Sequence, residues 1–140
     1  MANVVNHVGL CVTDIARSRR FYEEALGFVF QRDLRAPDEF TAPLMGLDAP
    51  VGLSAVYLTL GASILELLHY ERPENPPSQH RSLNEPGLTH LSLTVDDLGV
   101  TLQRVRDLGG EVVESSDIKV AIMVRDPDGQ LIELLTGPPT

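Results

Sequence analysis

NHVGLCV at residues 6–12 and THLSLTV at residues 89–95 are one short design written twice. In each, a histidine opens a run where apolar residues alternate with small or polar ones. Val8, Leu10 and Val12 alternate with Gly9 and Cys11, and Leu91, Leu93 and Val95 alternate with Ser92 and Thr94. A period of two marks a strand with one buried face, so strands are predicted at 4–12 and 88–95. Acidic residues follow both runs: Asp14 in the first, Asp96 and Asp97 in the second. Each is a suitable N-cap for the helical segment behind it. Ile15, Phe21, Tyr22, Ala25 and Leu26 share an apolar face over 15–26, and Gly27 stops that helix. Leu98, Leu102, Val105 and Leu108 are spaced for one face of the second helix, which Gly109 and Gly110 close.

The repeat continues past the helices. FVFQ at 28–31 begins another strand, and 33–50 is a polar, proline-containing excursion. Residues 51–60 and 63–70 flank Gly61 and Ala62 as a hairpin. Four prolines and several charges make 71–86 a linker. In the second half, strands are predicted at 111–113, 118–124 and 130–136, the last two joined by the turn Arg125-Asp126-Pro127-Asp128-Gly129. The chain therefore reads as an α+β protein built from two β-α-β-β-β modules, one at about 4–70 and one at about 87–136, within a single domain covering 1–140. The interval from His7 to Glu66 exceeds that from His90 to Glu133 by about the length of the 33–50 excursion, as expected of a duplication with one insertion.

The chemistry lies in four polar residues of these strands. His7 and His90 occupy the same place in the two first strands. Glu66, in ILELL at 64–68, and Glu133, in LIELL at 131–135, occupy the same place in the two last strands. A carboxylate seldom sits mid-strand between leucine and isoleucine without a partner. Two imidazoles and two carboxylates suit one divalent metal ion, and nitrogen and oxygen donors accept Ni, Co, Zn, Mn or Fe alike. Alternation puts Ile64, Glu66, Leu68 and Tyr70 on one strand face and Leu131, Glu133 and Leu135 on another. With each helix outside its sheet, all four candidate ligands are free to project to the opposite side.

Composition bounds the function. The chain has 140 residues, a 43% hydrophobic fraction and a net charge of −9, which suits one soluble domain and repels polyanions. Nucleic acid and anionic membrane surfaces are excluded as partners on that ground. Cys11 is the single cysteine, and no signal-like or membrane-spanning run is present, so the expected compartment is a reducing cytoplasm.

HVGLCVTDI from His7, RRFYEEALGF, LELL, THLSLTVDD and RDPDGQLIELL together resemble the vicinal oxygen chelate superfamily, over roughly 4–136. That superfamily holds glyoxalase I, methylmalonyl-CoA epimerase, extradiol dioxygenases and the fosfomycin and bleomycin resistance proteins. The resemblance implies an eight-stranded, cup-shaped mixed sheet around one metal, with helices outside, commonly as a homodimer. It implies His7, Glu66, His90 and Glu133 as ligands, a set similar to that of glyoxalase I and the epimerases. It further implies a metal-dependent lyase or isomerase acting on a small organic substrate, with Glu133 or Glu66 also moving a proton. Dioxygenase-like relatives share three of the ligands, and binding-only resistance proteins generally lack them, so those are the alternative readings. Epimerase-like relatives use a further glutamate before the third strand; here 36–52 offers Glu39 and Asp48, neither an evident match.

The remaining polar residues have plainer expectations. Cys11 is read as a small buried residue, and Tyr57 and Tyr70 as packing residues that could line the cup. His69 alternates away from Glu66, His80 lies in the linker, and Arg17, Arg19 and Arg20 form a solvated helix face. Ile64, Leu68, Met123, Leu131 and Leu135 would make an apolar pocket around the ligands.

Overall fold

The computed structural model describes residues 2–76 and 79–138. Residues 77 and 78 of the expected linker, and 139 and 140 of the expected domain, lie outside that range. Two compact units are formed, the first from Met1–Glu23 with Gly27–Pro77 and the second from Glu24–Leu26 with Ser78–Thr140.

The first unit contains β1 (Val8–Cys11), α1 (Ile15–Glu24), β2 (Val29–Arg35), α2 (Asp38–Met45), β3 (Leu53–Leu60) and β4 (Ser63–Tyr70). Its four strands form one sheet in the order β1-β4-β3-β2. β1 runs parallel to β4, with Val8 opposite Leu65 and Gly9 opposite Glu66; the other pairs are antiparallel. Gly61, at φ +59°, closes the β3–β4 hairpin, whose register sets Tyr57 opposite Glu66. The unit's core holds the fully buried Val12, Phe21, Tyr22, Val51, Leu58 and Leu67. Tyr22 meets Phe21 and Phe28 edge-to-face, the arrangement favoured by ring quadrupoles.

The second unit repeats this topology. β5 (His90–Thr94), α3 (Leu98–Asp107), β6 (Glu111–Val112), β7 (Ala121–Arg125) and β8 (Leu131–Leu135) give the sheet order β5-β8-β7-β6. Again the first strand lies parallel to the last, with His90 opposite Leu131 and Ser92 opposite Glu133. Val105, Val124, Ile132 and Leu134 are fully buried. The Asp126 carboxylate accepts from the backbone N–H groups of Asp128 and Gln130, and Gly129 takes φ +93°, so the DPDG turn delivers the chain squarely into β8.

The α+β class, the β-α-β-β-β repeat and the mixed sheets match the reading of the sequence. The eight strands pair as two four-stranded sheets, each module completing its own ladder by returning its last strand beside its first. Several boundaries differ. β1 begins at Val8, leaving Val4 and Val5 exposed, since the ladder to β4 starts only there. The 33–50 excursion contains α2, which starts after Pro37, carries Asp38 and Glu39 in its first turn and ends at Gly46 with φ +66°. Residues 118–120 are not strand: Glu114–Ser116 forms a 3-10 turn and Lys119 takes φ 76° before β7.

Both helix starts are capped as the sequence implies. Asp14 accepts from the Arg17 N–H at 3.0 Å and Asp97 from the Val100 N–H at 2.9 Å. Of the two candidates ahead of α3, Asp97 is the cap. Asp97→Ala is expected to cost about 1 kcal/mol, read from the urea midpoint, with Asp96→Ala near wild type. Equal losses in both variants would remove the cap as the cause.

Candidate metal centre

In the first unit, β4 places Glu66 between the buried Leu65 and Leu67, with its side chain on the opposite strand face. The residue is only 7% exposed, a costly position for a carboxylate unless each oxygen finds a partner. Both do. His7 Nε2 lies 2.8 Å from Glu66 Oε2, and the Tyr57 hydroxyl donates to Oε1 at 2.7 Å. Gly9 makes room: a Cβ there would stand 3.3 Å from Leu68 Cδ1 and 3.8 Å from Glu66 Oε2.

A β-bulge finishes this rank of side chains. Phe30 faces Leu58 and Arg32 faces Tyr57, so Gln31 is the extra residue. The Arg32 guanidinium then lies 3.8 Å from the centre of the Tyr57 ring, while the His7 ring meets Tyr57 edge-on at 5.6 Å. Burial, and then the hydrogen bond and charge of Glu66, hold the Tyr57 hydroxyl above its ordinary pKa of 10, against the opposing pull of Arg32. Tyr70 is likewise raised, chiefly by burial and secondarily by Cys11 and Glu66. Tyr57 is therefore a neutral donor throughout the physiological range.

In the second unit the carboxylate is held differently. Glu133 is half-buried mid-strand in β8, and Ser92 Oγ donates to its Oε1 at 2.7 Å. Ser92 occupies the register position that Gly9 occupies in the first unit, and Met123 occupies that of Tyr57. His90 is exposed at the head of β5 and hydrogen-bonds Thr89 Oγ1 through Nδ1 at 2.8 Å. His7 Nδ1 makes the matching bond to Asn6 Oδ1 at 2.6 Å. Both imidazoles are thus tied through Nδ1 by the side chain just before them, which leaves Nε2 for other work. A bond at Nδ1 fixes the ring and turns Nε2 outward, as outer partners do for metal-bound histidines.

Of the four expected ligands, the structure brings His7 and Glu66 into contact; among the described residues no hydrogen bond or ion pair joins His90 to Glu133. Among the described residues, no group of three or more His, Cys, Asp or Glu side chains gathers as a metal site. The donor chemistry of the pair nonetheless fits a divalent ion. Two ligand atoms each about 2.1 Å from a metal and at right angles stand about 3 Å apart, close to the observed N···O distance.

Other expected residues fall outside the rank. Cys11 is exposed and not buried as expected, since its edge strand has a neighbour on one side only. Its Sγ donates weakly to Asn75 Oδ1 at 3.9 Å. Glu39 and Asp48 are exposed, Glu39 in the first turn of α2. Arg17 bonds Thr13, and Arg19 pairs with Glu23 and lies over Phe30. Tyr57 and Ser92 were not singled out as carboxylate partners, although the two-residue hairpin loop already implies Tyr57 opposite Glu66.

The model of the glyoxalase/bleomycin resistance protein/dioxygenase superfamily matches residues 4–134. The chain belongs to this superfamily. Among curated relatives it is 27% identical to methylmalonyl-CoA epimerase of Bos taurus, over 93% of this chain and 72% of that protein. It is 31% identical to a probable lactoylglutathione lyase of Synechocystis sp., over 92% of each. Among solved structures, a glyoxalase family protein from Bacillus cereus shares the fold with a TM-score of 0.79 at 21% identity, covering 94% of this chain and 92% of that one. Superfamily members generally use a divalent metal and bind small molecules, and often form dimers. Among the described residues, no helix is long and apolar enough to cross a membrane.

Proposed function

We propose that the chain is a metal-dependent lyase or isomerase of the glyoxalase and epimerase type. Its two modules work as one domain, as a homodimer in the cytoplasm. The observation that carries this reading is the buried Glu66 carboxylate set 2.8 Å from His7 Nε2, with both histidines tied back through Nδ1. His7, Glu66, His90 and Glu133 would hold one divalent ion. The substrate class is a small organic molecule with adjacent oxygens and an acidic C–H, such as the lactoylglutathione or methylmalonyl-CoA named in the relatives.

When bound, the ion supplies Lewis acidity that stabilises an enolate between vicinal oxygens. The chain's own residues supply the rest. Glu66, buried and held at both oxygens, is fixed in place. Glu133 has one oxygen on Ser92, which leaves the other to take the proton from substrate carbon and give it back at the same or the neighbouring carbon. Met123, Leu131 and Leu135 are half-buried around Glu133 and offer apolar surface to a small organic substrate.

Elemental analysis of the protein purified without added metal or chelator, beside His90→Ala, tests the reading. About one equivalent in wild type and little in the variant is expected for a single site. Nickel, cobalt, zinc or manganese supports proton transfer, whereas iron would favour ring-cleaving oxygen chemistry. A wild type that stays empty after incubation with divalent ions would overturn the proposal in favour of a small-molecule binding protein.

A further inference from the structure

We propose that Tyr57 is a positioning residue for Glu66, its hydroxyl holding Oε1 so that Oε2 stays turned toward His7 Nε2. This inference rests on the metal reading above and adds to it the device that orients one ligand.

The geometry is specific to a hydroxyl. Tyr57 is 6% exposed and Glu66 7%, so no bulk water competes for the 2.7 Å bond between them. The ring itself is held from two directions. Arg32 lies over its face at 3.8 Å and His7 meets it edge-on at 5.6 Å. Arg32 reaches that place only because the bulge at Gln31 advances the register of β2 against β3. A ring that merely filled space would need neither the bulge nor the hydroxyl. Among the described residues Arg32 has no carboxylate partner, so its place over Tyr57 is not a by-product of an ion pair.

The second unit supports the same logic by a different route. Met123 stands at the register position of Tyr57 and has no hydrogen to donate, and there Ser92 of β5 donates to Glu133 Oε1 instead. Each mid-strand carboxylate thus receives one hydroxyl, from the central antiparallel neighbour in the first unit and from the parallel edge strand in the second. In the first unit the edge position is Gly9, and the space it leaves lies beside Glu66 Oε2, the oxygen that His7 contacts.

The test is Tyr57→Phe, which keeps the ring and removes the hydroxyl. Metal-free wild type and variant are titrated with Co(II) against a chromophoric chelator, the visible spectra of the Co(II) forms are recorded, and unfolding is measured in EDTA. Loss of an outer hydrogen bond to a ligand typically weakens metal binding by about 10- to 100-fold. That loss is expected here, with an altered Co(II) spectrum; the metal-free variant unfolds at a lower midpoint, because Glu66 Oε1 loses its donor, but is folded under the titration conditions. Equal affinity and identical spectra would overturn the role of Tyr57 while leaving the metal reading intact. Wild type that takes up no Co(II) would overturn the metal reading and this inference with it. Should Tyr57→Phe fail to fold, Arg32→Met carries the test, since it keeps the hydroxyl but frees the ring. Weaker Co(II) binding then supports the clamp, and wild-type binding overturns it.

Discussion

Glu133→Gln is expected to slow exchange of the substrate's acidic hydrogen into D2O by about 10²- to 10⁴-fold, the range lost when a positioned general base is removed. The amide has the volume of the carboxylate and still accepts the Ser92 hydroxyl through its oxygen, so the local hydrogen bond survives. What it cannot do is carry a proton from carbon. The flanking Leu131 and Leu135, and Met123 across the strand pair, provide no other base. The Ser92–Glu133 pair is partly open to solvent, so stability should stay within about 0.5 kcal/mol of wild type. Exchange by the variant at the wild-type rate would remove Glu133 from the reaction and return the role to Glu66.

Glu66→Gln is expected to weaken divalent metal binding by more than about 100-fold, beyond the effect of losing an outer partner. The amide oxygen still accepts from Tyr57, and the amide N–H now points at His7 Nε2, where it occupies the lone pair a metal would use. Both contacts are thus kept in the apo protein and both donors are lost to a cation. Competition titration with Co(II) measures the loss, and thermal unfolding of the metal-free variant shows whether the strand is intact. A variant that binds Co(II) as tightly as wild type would break the four-ligand proposal at its most buried member.

The topology was legible because it is carried by local signals repeated twice. Alternation over Val8–Val12 and Leu91–Val95, the caps at Asp14 and Asp97, and Gly61 between two apolar runs each specify an element on their own. α2 was hidden because Pro37 and Pro43 read as breakers. Pro37 lies just ahead of the first turn, where its missing N–H costs nothing; Pro43 falls inside a helix of only eight residues. The exposure of Cys11 depends on β1 being an edge, which alternation does not report. The four polar strand residues were visible as a pattern; of their partners, Tyr57 could be read from the hairpin loop and Ser92 could not. The contact of Glu133 with Ser92 follows from parallel pairing across a helix, and that register is set by packing rather than by any turn. The bulge at Gln31 has no signature in the residues around it.

The parallel return of β4 to β1 also dictates an order of events as the chain folds. Leu60 opposite Ser63 closes over two residues and needs almost no search, whereas Val8 opposite Leu65 must wait for everything between them to become compact. The hairpin that sets Tyr57 against Glu66 is therefore expected to form early, and His7, just ahead of β1, to arrive with the strand of costlier closure. Amide protons of β3 and β4 should accordingly outlast those of β1 in hydrogen exchange. The contact that defines the candidate centre thus leans on a strand expected to open before β3 and β4.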